Sequence, residues 1–297
     1  MAVSHQWRRL SQALAVVVAW MAAASPLIAE DFDSGKPALP GRCRAEVLME
    51  AGSGRLLAEH HARMTWAPAS LVKMMVMLIV VEDVRAGKID WRDRVRVSAR
   101  ASQMGGSQVY LKEGEVFPLE ELMMAIAVGS ANDASYAVAE HVAGDVGAFI
   151  ERMNERARRL GMTGTRYANV HGLPALRDHE GNVTCAYDLA VLARELVRHP
   201  KVLEWTSTPQ YPFRDETFVL RTTNALIGSF PGADGLKTGH LSSSGFNLVA
   251  TAEQEGIRLI AVVLGASTNR DRTAESRRLL SSGFDYFQNA PAGFLVE

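Results

Sequence analysis

The chain of 297 residues carries 32 basic and 33 acidic side chains, so its net charge is close to zero, and 47% of its residues are hydrophobic. This composition is typical of a globular protein with one large domain or two small ones. No run or stripe of Lys and Arg is present, which argues against a nucleic-acid partner.

The N-terminus has the pattern of a secretory signal peptide. Arg8 and Arg9 precede an apolar run over Ala13–Ala24, and small residues follow. This order of charged, apolar and small-residue regions predicts a signal peptide over residues 1–29. A retained membrane anchor is the alternative, but the apolar run is shorter than the roughly 20 residues that span a bilayer.

Two cysteines, Cys43 and Cys185, lie far apart in the sequence. An exported protein could pair them, whereas two buried, unpaired thiols fit the sequence equally well, so both possibilities stay open. The eight histidines are scattered, and no group of Cys and His has the spacing of metal ligands. We therefore expect no metal and no other cofactor.

The segment after the signal peptide, residues 30–42, is polar and contains two prolines, which predicts a linker. Next, Ala45–Glu50 and Arg55–Ala58 flank a Gly-containing turn, and this pattern predicts a β-hairpin. A long apolar run from Ser70 to about Val84 then predicts a buried helix with the serine in its first turn.

Helical patterns fill the middle of the chain, and strands occur towards both ends. The predicted helices are Leu119–Val128, Asn132–Val142, Val146–Leu160, Tyr187–Arg198 and Arg270–Phe287. The predicted later strands are Phe218–Thr222, Gly245–Thr251 and Ile257–Leu264. This order predicts an α+β fold, in which an antiparallel sheet from N- and C-terminal segments is flanked by helices, with a helical region inserted at about 85–215.

The first of three short motifs combines Ser70 with Lys73. Residues three apart share one helix face, so the Lys73 amine can reach the Ser70 hydroxyl and accept its proton. The helix N-terminus also supplies N–H groups for a developing oxyanion. The alternative is a capping serine beside a solvated lysine. Residues 74–80 are apolar on almost every side of the helix, which predicts a buried helix and favours a lysine in a cleft over one on the surface.

The second motif, Ser130 and Asn132, interrupts an otherwise helical run at Gly129. Polar side chains at such a break can project into a site. There Ser130 could relay a proton to a leaving amine, and Asn132 could hold a substrate amide. The alternative is a plain turn between helices, in which Asn132 caps the second helix.

The third motif is Lys237-Thr238-Gly239, which is predicted to lie ahead of a strand. Lys237 and Thr238 could bind a carboxylate by charge-assisted hydrogen bonds, and the missing side chain of Gly239 would let a peptide pair with the strand edge. An exposed hairpin end is the alternative. Each motif alone is weak, but the three in this order are typical of serine acyl-transfer sites.

The match to one family extends beyond the three motifs. It is carried by the stretches Pro68–Met75, Gly105–Leu111, Ser130–Ala134, Asn169–Leu173, Asn224–Leu226 and Asp234–His240. These stretches resemble the serine D-alanyl-D-alanine carboxypeptidases, which are low-molecular-mass penicillin-binding proteins. The resemblance covers roughly Cys43 to Phe287.

The resemblance implies a β-lactamase/transpeptidase-like fold in a single catalytic domain over residues 43–297. Many members of this family continue into a β-rich domain and an amphipathic membrane-binding helix, whereas nothing basic and amphipathic follows Phe287 here, so we expect no C-terminal β-rich domain and no stable membrane anchor. The resemblance also implies that Ser70 is the acylated nucleophile, that Lys73 accepts its proton and that Ser130 is the second catalytic serine.

The resemblance further implies a set of substrate-binding residues. They are Asn132, Lys237, Thr238, Gly239 and His240. In this set Asn132 contacts a substrate amide and Lys237 anchors the terminal carboxylate. The backbone N–H groups of Ser70 and His240 would form the oxyanion hole.

The implied activity is removal of the terminal D-Ala from peptidoglycan pentapeptides in the periplasm, through an acyl-enzyme on Ser70. The expected partners are the stem peptide ending in D-Ala-D-Ala and, as covalent inhibitors, β-lactam antibiotics. A DD-endopeptidase that cleaves peptidoglycan crosslinks stays open as an alternative.

Two further alternatives are weaker. A class A-like β-lactamase would need an E-x-x-L-N motif between Ser130 and Lys237, where the comparable region, residues 166–169, reads Arg-Tyr-Ala-Asn. A non-enzymatic wall-binding or regulatory module would lack one of the catalytic residues, and none is missing.

Overall fold

The computed structural model describes residues 42–174, 181–214 and 216–289. Its strands are β1 (Ala45–Glu50), β2 (Leu56–His60), β3 (Arg94–Arg96), β4 (Val116–Pro118), β5 (Gln210–Phe213), β6 (Phe218–Arg221), β7 (Ala233–Leu241), β8 (Gly245–Gln254) and β9 (Ile257–Ala266). Five of them form one antiparallel sheet in the order β2-β1-β9-β8-β7. The N-terminal hairpin therefore pairs with the C-terminal strands, as the sequence predicted.

The helices lie on both faces of this sheet. They are α1 (Lys73–Arg85), α2 (Ala99–Ser102), α3 (Leu119–Ala127), α4 (Asn132–Ala143), α5 (Val146–Arg159), α6 (Ala186–Leu196), α7 (Pro200–Thr206) and α8 (Asn269–Asn289). Along β1, Val47 belongs to the core shared with the central helices, whereas Leu48 belongs to the core beneath α8. Neighbouring strand residues point to opposite faces, so a sheet covered on both faces needs apolar residues at successive positions.

Helix α1 lies in the centre of the larger core. Every residue from Met74 to Val80 is buried, and most have no exposed surface. A helix that is apolar on all sides is stable only when other elements surround it. The structure therefore confirms the predicted buried helix and places its first residue, Lys73, inside the protein.

Two predictions about local structure were wrong. Ser70 lies in a short 3₁₀ turn over Ala69–Val72, and the α-helix begins only at Lys73. The third motif lies inside β7 and not ahead of a strand, because β7 pairs with β8 from Ala233 to Leu241. Neither difference could be read from local propensity, since both depend on contacts between distant segments.

The inserted region is less uniformly helical than predicted. It contains the ribbon of β3 with β4, and β5 pairs with β6 in a second ribbon apart from the main sheet. The predicted signal peptide lies outside the described residues, as does nearly all of the predicted linker. Within the described ranges, none of the helices is both long and apolar enough to cross a membrane. The two cysteines, whose state the sequence left open, are unpaired.

Candidate active site

The Ser70 hydroxyl lies just ahead of α1. Ala69 adopts a left-handed backbone conformation with φ +51°, which turns the chain sharply before the serine. Three residues later Lys73 begins the helix, and its Nζ donates a hydrogen bond of 3.1 Å to the Ser70 Oγ. The predicted contact between the two side chains is therefore present.

Lys73 is fully buried. Besides Ser70, its Nζ donates to Oδ1 of Asn132 at 2.7 Å and to the carbonyl oxygen of His171 at 2.8 Å. None of these acceptors is charged, and burial, together with the charge of Lys237, lowers the pKa of Lys73 well below its ordinary value. The alternative of a solvated lysine is excluded, and the amine is suited to accept a proton from a serine hydroxyl.

Ser130 and Lys237 form a second hydroxyl–amine pair. Ser130 connects α3 to α4 with φ +60°, and its Oγ accepts a hydrogen bond of 3.0 Å from Nζ of Lys237. Burial, and then the charge of Arg272, lowers the pKa of Lys237 from 10.5 to about 7. The charge of Lys237 is, after burial, the second cause that lowers the pKa of Lys73. The site therefore places two buried amines, both with lowered pKa values, each beside a serine hydroxyl.

Asn132 faces the cleft. Its Oδ1 accepts from Lys73, and its Nδ2 donates a hydrogen bond of 2.7 Å to the carbonyl oxygen of Gly105. The residue at the N-cap of α4 is Ala131, whose side chain makes no capping hydrogen bond. The alternative of a plain turn capped by Asn132 is therefore excluded.

Two glycines let flanking segments close on the Ser70 turn. A Cβ atom on Gly239 would lie 2.7 Å from the carbonyl oxygen of Pro68 and 3.2 Å from the nitrogen of Ser70. A Cβ atom on Gly172, whose φ is +86°, would lie 2.0 Å from the carbonyl oxygen of Ala69. Any side chain at either position would displace Ser70. The sequence predicted that Gly239 makes room for a peptide, whereas the space is taken by the Ser70 turn.

Among the described strands, β7 is at the edge of the main sheet and pairs with β8 alone. Thr238 lies on it with Oγ1 2.5 Å from Oγ1 of Thr223, and the exposed ring of His240 stacks on Phe246 at 4.1 Å. An edge strand presents N–H and C=O groups without a strand partner. An extended peptide could pair with this edge and pass directly over Ser70.

Arg272, on α8, lies beside the third motif, and no motif or spacing in the sequence points to it. It is 5% exposed and donates from Nη2 to Oδ1 of Asn269 at 2.6 Å and to the carbonyl oxygen of Thr223 at 3.3 Å. Its Nε is buried and has no hydrogen-bond partner among the described residues. Burial lowers its pKa to about 10, so it stays cationic at neutral pH. Arg272 and Lys237 together make this end of the cleft strongly positive.

His171 lies beside Lys73, whose Nζ donates a hydrogen bond to the His171 carbonyl oxygen. Its Nδ1 accepts a hydrogen bond of 3.1 Å from the backbone N–H of Leu173. Burial, together with the charges of Lys73 and Arg100, lowers the pKa of His171 to about 4. The imidazole is therefore neutral at physiological pH and adds no charge to the site.

One cluster within the described ranges has the spacing of metal ligands. It consists of Glu82, Glu195 and His199. Glu82 lies nine residues after Lys73 on α1, which is about 14 Å along the helix axis. Arg156 donates to both carboxylates, at 2.6 Å and 3.2 Å, and already supplies a compensating positive charge. We assign no ion to this cluster.

Comparison with known proteins identifies the family to which this geometry belongs. Residues 36–268 match the family model described as D-alanyl-D-alanine carboxypeptidase. The chain belongs to this family. The predicted enzyme class, a serine-type D-Ala-D-Ala carboxypeptidase, is thereby confirmed.

Relatives of the carboxypeptidase are similar along most of its length. It is 35% identical over 287 residues to the D-alanyl-D-alanine carboxypeptidase DacF of Bacillus subtilis (strain 168), covering 96% of this chain and 73% of DacF. It is 38% identical over 252 residues to the D-alanyl-D-alanine carboxypeptidase DacC of Escherichia coli (strain K12), covering 82% of this chain and 62% of DacC.

Solved structures share the fold. Penicillin binding protein 6B from Escherichia coli aligns with a TM-score of 0.77 at 34% identity, covering 84% of the carboxypeptidase and 79% of that chain. Penicillin-Binding Protein D2 from Listeria monocytogenes, in its ampicillin-bound form, aligns with a TM-score of 0.76 at 30% identity, covering 84% and 100%. The predicted α+β, transpeptidase-like fold is confirmed.

Proposed function

We propose that this chain removes the terminal D-Ala from peptidoglycan pentapeptides in the periplasm, through an acyl-enzyme on Ser70. The observation that carries the proposal is the pair of hydroxyl–amine contacts, Lys73 with Ser70 at 3.1 Å and Lys237 with Ser130 at 3.0 Å. A peptide bond held between the two hydroxyls would have a nucleophile with its base on one side and a proton donor on the other.

In the acylation step Lys73 takes the proton of Ser70, and the serine oxygen attacks the carbonyl carbon of the penultimate D-Ala. Negative charge then develops on the carbonyl oxygen, where we assign the backbone N–H groups of Ser70 and His240 as donors. The close contact between Gly239 and the Ser70 nitrogen supports this assignment, because it brings the turn and β7 together.

The C–N bond of the tetrahedral intermediate then breaks, and the terminal D-Ala leaves as its amine. Ser130 gives this amine a proton. The proton that Lys73 took from Ser70 then replaces the one that Ser130 has lost. Lys237 and Thr238 hold the leaving carboxylate, with Arg272 adding positive charge beside them. Asn132 contacts the amide of the bound stem peptide.

In the deacylation step water attacks the ester carbonyl of the acyl-enzyme. Lys73 accepts a proton from the water, the ester C–O bond breaks, and Ser70 recovers its hydroxyl proton. The products are a tetrapeptide with a free carboxylate and an unmodified enzyme. Every proton that is removed is returned within the cycle, so the reaction balances with the peptide, one water molecule and the side chains of the site.

We propose that β-lactams acylate Ser70 by the same attack and hydrolyse slowly. The related Listeria monocytogenes protein has structures in its ampicillin- and cefotaxime-bound forms. Residues 166–169 offer no carboxylate to activate a second water, and the Asn169 side chain is occupied by the backbone N–H groups of His171 and Gly172. A long-lived adduct is the expected outcome, in contrast to a β-lactamase.

The periplasmic location is supported by the predicted signal peptide over residues 1–29 and by the substrate. Peptidoglycan lies outside the cytoplasmic membrane, so an enzyme that trims its stem peptides must be exported. A crosslink between two stems contains a D-Ala amide of related chemistry. Carboxypeptidase and endopeptidase activity are therefore distinguished by comparing cleavage of the pentapeptide with cleavage of a crosslinked stem dimer.

The test follows D-Ala release from a muramyl pentapeptide and the intact mass of the protein after addition of benzylpenicillin. The wild-type chain should release D-Ala and gain one lasting adduct on Ser70. Ser70→Ala should do neither. A matched control is Ser135→Ala, since Ser135 is a fully buried serine of α4 whose hydroxyl has no partner among the described residues.

Three results would contradict the proposal. D-Ala release by Ser70→Ala at the wild-type rate would exclude Ser70 as the nucleophile. Rapid loss of the adduct with consumption of penicillin would indicate a β-lactamase. Faster cleavage of a crosslinked stem dimer than of the pentapeptide would indicate a DD-endopeptidase.

A further inference from the structure

Asp133 is a buried carboxylate beside the cleft that the proposed mechanism does not use. It directly follows Asn132 at the start of α4, and none of its surface is exposed. Its oxygens accept hydrogen bonds from the backbone N–H groups of Val109 at 3.1 Å, Leu111 at 3.0 Å and Ala134 at 2.9 Å. Every partner is a donor, so both oxygens act as acceptors, which is the hydrogen-bonding pattern of an ionised carboxylate.

The hydrogen bonds of this carboxylate, within the described part of the chain, all come from neutral backbone groups. A buried charge without a directly bonded counter-ion acts strongly on other charges nearby. Burial lowers the pKa of Lys73 in α1, and the negative charge of Asp133 opposes that shift. The same charge contributes to the raised pKa of Arg214, which lies between β5 and β6. The other groups around Lys73 are the cation Lys237 and the neutral His171. Asp133 alone among these groups favours a protonated Lys73.

Asp133 also holds the segment 105–111 against α4, through its hydrogen bonds to the far end of that segment. At the near end, the carbonyl oxygen of Gly105 accepts the hydrogen bond from Nδ2 of Asn132. This bond fixes which end of the amide faces Lys73, because the amide oxygen must then point at the amine. The orientation of Asn132 therefore depends on a segment that Asp133 keeps in place.

We propose that Asp133 is a positioning residue of this site, whose negative charge acts on Lys73 and whose hydrogen bonds hold the segment that orients Asn132. The inference rests on the proposed function, in which neutral Lys73 is the base. Without Asp133, Lys73 would lose a negative charge that favours its protonated form. Neutral Lys73 would then persist to lower pH.

The test measures the rate constant of acylation by benzylpenicillin as a function of pH for the wild-type chain and two variants. Asp133→Asn removes the charge, and its amide NH2 group would face a backbone N–H, so the rate should fall at all pH values. The acidic limb of its pH profile should also shift by about one pH unit to lower pH. Asp133→Glu retains the charge but displaces the segment, so its rate should fall while the limb stays in place.

The matched control is Asp83→Asn. Asp83 is also a buried carboxylate, but it lies ten residues after Lys73 on α1, about 15 Å along the helix, and is paired with Lys88 and Arg152. Its loss should leave the acidic limb in the wild-type position. A purely structural effect would lower the amount of active protein in any of these variants without moving the limb.

An unmoved limb in Asp133→Asn would overturn the role of the charge. A shift of the acidic limb in Asp133→Glu would also overturn the role of the charge, because that variant keeps the negative charge. If Asp133→Asn does not fold, the role of the charge is tested by Asp133→Glu. Failure of the proposed function is a separate result. In that case the wild-type chain itself would show no acylation of Ser70 and no release of D-Ala.

Discussion

Lowering the pH from about 7.5 to about 5 should destabilise the folded protein through His171. Burial, together with the charges of Lys73 and Arg100, lowers the pKa of this imidazole from 6.5 to about 4. Below pH 6.5 the unfolded chain binds a proton at this residue, while the folded protein keeps it neutral until about pH 4. The contribution to stability is therefore fully present above pH 6.5 and is lost as the pH falls towards 4.

The size of the effect follows from the same pKa values. A pH of 5 is about 1.5 units below the pKa of the imidazole in the unfolded chain, so the unfolded chain is protonated there, whereas the folded imidazole is still largely neutral. Each unit corresponds to about 1.4 kcal/mol, so the free energy of unfolding should fall by about 2 kcal/mol. Such a loss is a large share of the 5 to 15 kcal/mol that is typical of globular proteins.

The assay is urea denaturation of the wild-type chain and of His171→Gln at both pH values. The Gln side chain can accept the hydrogen bond from the backbone N–H of Leu173 but does not titrate in this range. His199, whose pKa is also lowered by burial, titrates in both proteins and cancels in the comparison. The wild-type chain should lose about 2 kcal/mol more than the variant between the two pH values. Equal losses would refute the reasoning.

Three further predictions test the site and the core. Gly239→Ala should slow benzylpenicillin acylation about 100-fold, because the added Cβ would lie 2.7 Å from the carbonyl oxygen of Pro68 and displace Ser70, the proposed nucleophile; an unchanged rate would contradict this contact. Arg272→Gln should lower kcat/KM for the pentapeptide about 10- to 100-fold by weakening the hold on the carboxylate, whereas Arg277→Gln on the same helix should not. Leu279→Ala, in the core beneath α8, should lower the free energy of unfolding in urea by about 3 kcal/mol and leave the acylation rate of the folded protein unchanged.

Much of the architecture could be predicted because it follows from patterns of apolar, polar and glycine residues within short segments of the sequence. The alternation of Ala45–Glu50 and its turn predicted the hairpin, and the unbroken apolar run after Lys73 predicted a helix buried on all sides. The break at Gly129 predicted the turn that separates α3 from α4. These features depend only on the side-chain periodicity of helices and strands and on the burial of apolar side chains away from water.

Other features depended on contacts that no local pattern contains. Ser70 lies in a 3₁₀ turn that β7 and the segment around Gly172 approach closely, and both segments are far from it in the sequence. Arg272 acts on Lys237 of the third motif because α8 packs against the sheet, which the order of residues along the chain does not show. The ribbon of β3 with β4 was missed because strands of three residues have too few positions to establish a period.

The sequence by itself determined which chemical groups this protein has, their order along the chain, and the family to which they belong. Only the tertiary structure decided how those groups behave. The Lys73 amine would be cationic in water, and it becomes suited to accept a proton because folding buries it beside Lys237 and near Asp133. Desolvation and the distances between charges set that property, and both arise only when segments far apart in the sequence are brought together.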